Sequence, residues 1–228
     1  PEPYIDGTKR REQGRDFYEY YLLAWAGVDP ANGDPLWYTD ETKTTTSNSV
    51  GDAERFYDGK SASPKMFGSF GLFAKKGPLS LTVQFNYEFG RYIYDDVGRF
   101  RHADGRYTPR GTSQWAFENR WTTPGQEALF PAWNWGGNHG SNASPCDRYL
   151  FKGDYIRLKV VRLGYKLPQS WISRIGIASL EAYVHLSNFW TWVADDNLYL
   201  DPEQQVSGIF SSTTPLAKTS SFGFNIGL

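Results

Sequence analysis

Residues Ser179–Trp192 read SLEAYVHLSNFWTW. Leu180, Ala182, Val184, Leu186, Trp190 and Trp192 fall on even positions; Ser179, Glu181, Tyr183, His185, Ser187 and Thr191 fall on odd ones. A period of two sets these groups on opposite faces of an extended strand. A strand of about 14 residues is long for a soluble sheet but suits a tilted membrane-barrel strand, which needs at least about 9–11. It closes on two tryptophans, the residue type that collects where a bilayer meets water. The same pattern fits two settings, a soluble sandwich and a barrel wall in a membrane.

The neighbouring stretches follow the same period. In Leu79–Tyr94, Leu79, Leu81, Val83, Phe85, Tyr87 and Phe89 face one way, and Ser80, Thr82, Gln84, Asn86 and Glu88 the other. Lys218–Leu228 alternates with Phe222, Phe224, Ile226 and Leu228 on one face. In Tyr149–Leu167 the parity slips, from Ile156, Leu158 and Val160 to Val161, Leu163 and Tyr165; a bulge near Val160–Val161 accounts for it. Asp16–Ala26, Leu36–Thr39 and Met66–Lys75 read as further strands, giving about seven in all. Pro168–Ile175 reads as a short helical turn with proline at its first position.

Between the strands the connections run, back from the C-terminus, long (194–215), short (168–177), very long (95–147), short (76–78), long (40–64) and short (27–35). Short and long alternate strictly. Outer-membrane barrels have short periplasmic turns and long extracellular loops, whereas a sandwich has no reason to gather its long loops at one end. Seven strands are odd in number, which puts the C-terminus in the periplasm and residue 1 outside. Bacterial single-chain barrels use even numbers, so seven strands imply part of a larger barrel.

Composition agrees. The chain has 228 residues with 39% hydrophobic content and a mean hydropathy of -0.57. The longest apolar stretch, Leu22–Val28, falls far short of the roughly 20 residues of a spanning helix. Barrel strands alternate and average out polar, so a β-barrel stays open. Aromatics reach 17%, with 9 Trp, 15 Tyr and 15 Phe, which fits aromatic girdles or a carbohydrate-handling surface. A net charge of -1 gives no sign of nucleic-acid binding. Cys146 is the single cysteine, so there is no intrachain disulfide framework. The opening PEPYIDGTKRREQGRD holds no apolar h-region of a signal peptide. For an outer-membrane protein, the chain is then a mature or partial product.

Five stretches, in order, resemble the C-terminal part of SusC-like TonB-dependent transporters, the outer-membrane importers of Bacteroidetes. They are YLLAWAGVDP with NGDPLWY (from Tyr21 to Tyr38), PKMFGSF from Pro64, FKGDYIRLKVVRLGYKLP (Phe151–Pro168), SNFWTW with DPE (Ser187–Trp192 and Asp201–Glu203), and the closing FGFNIGL. The resemblance implies an all-β fold, an antiparallel transmembrane β-barrel of 22 strands filled by an N-terminal plug. This chain would supply about the last seven strands, with the remaining barrel, the plug and the TonB box outside it. It also implies a SusD-like surface lipoprotein as lid, TonB as the source of energy, and oligosaccharides or peptides as cargo. The family usually closes on an aromatic residue; Leu228 departs from that.

In this frame Tyr94, Trp190 and Trp192 are expected in the outer membrane-interface girdle and Trp171 at the inner interface. The plainer alternative for the first three is packing beneath the outer loops. The 95–147 loop holds Trp115, Phe117, Trp121, Phe130, Trp133 and Trp135. Exposed rings stack on sugar faces and anchor protein interfaces, whereas a loop this size also needs a small core of its own. Trp115, Trp121, Trp133 and Trp135 are the ligand-binding candidates there, with Trp133 and Trp135 of WNWGG foremost. On the barrel wall, Gln84, Asn86, Glu88, Glu181, Tyr183 and His185 face the lumen; Glu181 and His185 join the ligand-binding set.

No arrangement favours catalysis, a cofactor or a metal. His102, His139 and His185 lie on different elements, and His139 with Cys146 is too thin a ligand set for zinc. Asp29, Asn32 and Asp34 depart from EF-hand spacing and read as a turn. Asn142-Ala143-Ser144 matches a glycosylation acceptor by chance composition. Two other function classes stay open: a soluble β-sandwich carbohydrate-binding module, and a glycan hydrolase, whose two carboxylates about 5–10 Å apart would have to be Glu88 and Glu181.

Overall fold

The computed structural model describes residues 2–107, 111–137, 144–173 and 176–227. The expectations placed on His139, Asn142 and Leu228 lie outside these residues. The chain divides into two compact units, the first formed by Pro1–Ser63, Arg91–Lys152 and Gln204–Thr213, the second by Pro64–Gly90, Gly153–Glu203 and Thr214–Leu228.

The first unit is made of short strands. β1 (Tyr4–Asp6), β2 (Lys9–Arg11), β3 (Glu19–Leu23) and β7 (Arg55–Ser61) form one sheet in that order. β4 (Trp25–Val28), β5 (Pro35–Tyr38) and β6 (Thr46–Ser47) form a second. β10 (Tyr92–Asp95) lies between β11 (Leu150–Lys152) and β14 (Ile209–Phe210), antiparallel to the first and parallel to the second. Their shared core packs Tyr20, Leu22, Leu23, Trp37, Ala62, Tyr94, Cys146 and Tyr149. The 204–213 segment is tied in by hydrogen bonds: Tyr20 Oη donates to the Gly208 carbonyl at 2.9 Å, and the buried Lys9 Nζ donates to the Ser207 carbonyl at 2.7 Å.

The second unit is a single antiparallel meander. β8 (Met66–Lys76), β9 (Leu79–Phe89), β12 (Tyr155–Lys166), β13 (Ser179–Val193) and β15 (Thr219–Gly227) pair in sequence order, with β8 and β15 at the edges. Gly77-Pro78 joins β8 to β9, and a connection with a short helix at Gln169–Ile172, directly after Pro168, joins β12 to β13. In such a meander both short connections leave one end and both long ones, 90–154 and 194–218, leave the other. The expected bulge is present one residue earlier than read. The register of β12 against both neighbours shifts between Leu158 and Val160, and Asn188 on β13 takes φ 59 beside it.

That shift keeps one face apolar along the whole sheet. Leu81, Leu163 and Val184 align, as do Phe85, Leu158 and Trp190 across the bulge. Phe70, Leu72, Phe222, Phe224 and Ile226 on this face are each more than half exposed. A sandwich would cover them with a second sheet; a barrel wall shows them to lipid. Ten residue steps from Leu79 to Phe89 reach roughly 33 Å. Tilted by about 40°, they span roughly 25 Å, the height of an outer-membrane apolar band.

Three expectations change. Asp16–Ala26 and Leu36–Thr39 supply short strands of the first unit and are not members of the meander. The stretch Leu79–Tyr94 breaks at Gly90, whose φ of 78 turns the chain out of the sheet. Tyr94 therefore falls in β10 and is fully buried at 0% exposure, so it cannot be a girdle residue.

Candidate functional site

The polar face of the meander is built by the residues alternating with the apolar ones. Its centre is Glu181 on β13. The two guanidinium ends of Arg162 on β12 donate to its oxygens at 3.3 and 2.9 Å. Ser80 on β9 and Asn225 on β15 add bonds at 3.2 and 2.8 Å. One carboxylate thus draws together four of the five strands. Gly164 makes room for it: a Cβ there would lie 2.6 Å from Ser80 Oγ and against Glu181 Oε1. Two strand positions away, Tyr183 lies flat over Gly223, where a Cβ would meet its ring at 2.6 Å, and its ring faces Arg162 at 4.4 Å. His185 bonds to Ser187 at 3.0 Å.

Toward the long-connection end, the side chain of Arg157 is nearly buried and paired with Asp201 at 2.6 Å and Glu203 at 3.1 Å. Lys159 joins Glu203 at 3.0 Å. Asp201 also accepts the backbone N–H groups of Glu203 and Leu216, which closes the neck of the 194–218 loop.

Glu88 and Glu181 stand far apart. Glu88 pairs with Tyr155 and Glu181 with Lys166, the two ends of β12. Eleven steps along that strand are roughly 35 Å, against the about 5–10 Å a glycosidase needs. Glu181 is moreover engaged by four hydrogen bonds from three side chains. The hydrolase pairing is not present.

The aromatic candidates of the first unit divide. Trp115 packs edge-on to Phe130 and His102, at 4.9 and 5.3 Å. Trp121 donates Nε1 to the Pro30 carbonyl at 3.0 Å and covers Gly33. Trp121 helps build the loop's own core, whereas Trp115 rests on that core with half of its surface exposed. Trp133 and Trp135 are exposed, Trp135 at 80%. Buried in the same cluster, His102 meets Ser113 Oγ at 2.7 Å; burial first, then Arg148 and Arg101, push its pKa down to about 4. Burial drives the Cys146 thiol up to about 12. The Asp29–Asp34 segment is a turn, with Asp29 and Asn32 side chains accepting backbone N–H groups two residues on. Among the described residues no group of three His, Cys, Asp or Glu is placed to hold a metal.

On the lipid-type face, Trp190 and Trp192 are about half exposed. Trp192 meets Phe89 at 6.5 Å, next to Tyr87. Trp171 sits in the short helix at the opposite end, also exposed.

The whole chain superposes on solved structures of the RagAB peptide importer. In the open-open state the TM-score is 0.79, with 22% identity over 99% of this chain and 24% of that one. In the closed-closed state it is 0.77, with 22% identity over 98% and 24%. A 56-residue stretch is 38% identical to TonB-dependent receptor P3 of Formosa agariphila, covering 25% of this chain and 5% of that protein. The chain has the fold of a SusC-like TonB-dependent transporter barrel. The chain spans about a quarter of the length of the solved chains it matches. No family model matches it. Among the described residues no helix is long and apolar enough to cross a membrane.

Neither Arg157 with Asp201 nor Arg162 with Ser80 and Asn225 was among the expected site residues. The signal for the first is weak: IRLK and DPE place opposite charges 44 positions apart, with no periodicity to connect them.

Proposed function

We propose that this SusC-like segment is the C-terminal barrel portion of a TonB-dependent importer that takes up oligosaccharides or peptides across the outer membrane. The rest of the barrel and a plug complete the wall and fill the lumen; a SusD-like lipoprotein closes it from outside; TonB acts through the part that precedes this segment. The long connections 40–64, 95–147 and 194–215 are its extracellular loops, and the C-terminus is periplasmic. Trp171, Trp190 and Trp192 mark the two membrane interfaces. Trp133 and Trp135 offer rings to cargo or lipoprotein, and Glu181 and His185 line the lumen.

The observation that carries this reading is the meander with one uncovered apolar face and one charged, hydrogen-bonded face, its short and long connections sorted to opposite ends. The mechanism is binding and release with no covalent step. Uptake of a labelled oligosaccharide or peptide by cells carrying the full-length transporter tests it. Uptake should stop when the proton gradient is collapsed or the gene is deleted. Uptake that persists under both treatments sinks the proposal.

A further inference from the structure

Within the first unit, the parallel pairing of β10 with β14 brings two chain segments side by side. Asp96 N donates to the Phe210 carbonyl at 3.2 Å, which sets Ser211 and Ser212 against the helical turn Gly98–Arg101. Between them lies a groove of about 400 Å³ lined by Asp96, Phe100, Arg101, Ser211 and Ser212. Its groups are not equivalent. The Asp96 carboxylate is held by Arg99 Nε at 2.6 Å and is neutralised. The Phe100 ring is fixed between the Arg99 guanidinium at 4.3 Å and the Tyr107 ring at 4.9 Å. The Arg101 guanidinium and the two serine hydroxyls make no hydrogen bond to any described residue. Ser212 is held at φ 71, a conformation that costs a non-glycine residue about 1 kcal/mol or more.

We propose that this groove binds a carboxylate of the transported ligand, with Arg101 as its charged contact and the Ser211 and Ser212 hydroxyls as donors beside it; this rests on the importer reading above. A planar guanidinium matches a carboxylate through two parallel N–H bonds. The groove offers one uncompensated positive charge next to Asp96, which suits a monoanion and disfavours a phosphate dianion. Phe100 gives the body of the ligand an apolar face to lie on. Two sources share this chemistry: the C-terminus of a peptide and a uronate of an oligosaccharide.

The test uses the full-length transporter purified from outer membranes in detergent. Two probe pairs are titrated by calorimetry: a short neutral peptide as free acid and as C-terminal amide, and a galacturonate oligosaccharide with its galactose counterpart. In one pair the acid should bind about tenfold tighter or more; which pair does so names the source. Arg101→Gln should bring that pair to within about twofold, and Arg101→Lys should keep part of the preference. Arg101 is exposed, so both variants should retain the heat-modifiable migration of the folded barrel. Equal binding of acid and neutral partner in both pairs, or a preference that survives Arg101→Gln, overturns the carboxylate assignment and leaves the importer reading standing. Binding of none of the four probes likewise overturns the carboxylate assignment, while the importer reading stands or falls on the uptake experiment.

Discussion

Asp201 Oδ1 lies 2.6 Å from Nη2 of Arg157, and the Arg157 side chain is only 4% exposed. The carboxylate also accepts N–H groups from both limbs of the 194–218 loop. This ion pair, with Glu203 as a second carboxylate on Arg157, fastens the neck of this loop to β12.

Removing Asp201 leaves the nearly buried Arg157 paired with the partly exposed Glu203, a loss of about 1.5–3 kcal/mol. Asp201→Asn in the full-length transporter should make the 194–218 loop the first site of limited proteolysis and lower the temperature of the heat-modifiable shift. Lys159→Gln, which removes the partly exposed bond to Glu203, should cost less than about 1 kcal/mol. Equal effects of the two substitutions would show that the loop is not held through Asp201.

Gly164→Ala should destabilise the barrel by about 1–3 kcal/mol, since the added methyl meets Ser80 Oγ and Glu181 Oε1. The two sites share one network, so Glu181→Ala combined with Gly164→Ala should be less damaging than the sum of the single changes. Additive losses in thermal unfolding would count against the crowding argument.

His102 gives the first unit an acid-sensitive joint. Its pKa is depressed to about 4 in the folded chain, so the unfolded chain takes up the proton first as pH falls. The stability contributed by neutral His102 is complete above about pH 6.5 and is lost between there and about pH 4. On the order of 3 kcal/mol is at stake. The protection factors of residues 98–107 and 111–120, taken against the intrinsic exchange rate at each pH, should fall over that interval, and His102→Gln should flatten the dependence. An unchanged profile in the variant would place the acid sensitivity elsewhere.

Trp190 and Trp192 should be quenched by lipids brominated near the headgroup when the transporter is reconstituted, and Trp135 should not. Comparison with Trp192→Phe and Trp135→Phe isolates each ring. Quenching of Trp135 equal to that of Trp192 would contradict the assignment of the 95–147 loop to the aqueous side.

The strands of the meander were legible because half of every strand is apolar and the period is two. Val160–Val161 even located the bulge to within a residue. The break at Gly90 also left a trace: the apolar positions of 79–89 are odd, while Tyr92 and Tyr94 are even. That change of phase marks a new element, and reading it as the far end of one strand misplaced Tyr94. The ion pairs were not legible, because complementarity between Arg157 and Asp201 depends on where a loop returns, which no local pattern encodes. The same holds for the groove at Arg101, assembled by a two-residue parallel pairing between β10 and β14.

The first unit is drawn from three separated segments, and its Tyr20–Gly208 bond joins residues 188 positions apart. Its core cannot close until nearly the whole segment has been synthesised. Contacts of such long sequence separation form slowly. The first unit should therefore be the last part of the segment to mature, and a folding defect late in the chain should be felt first at tyrosines near its beginning.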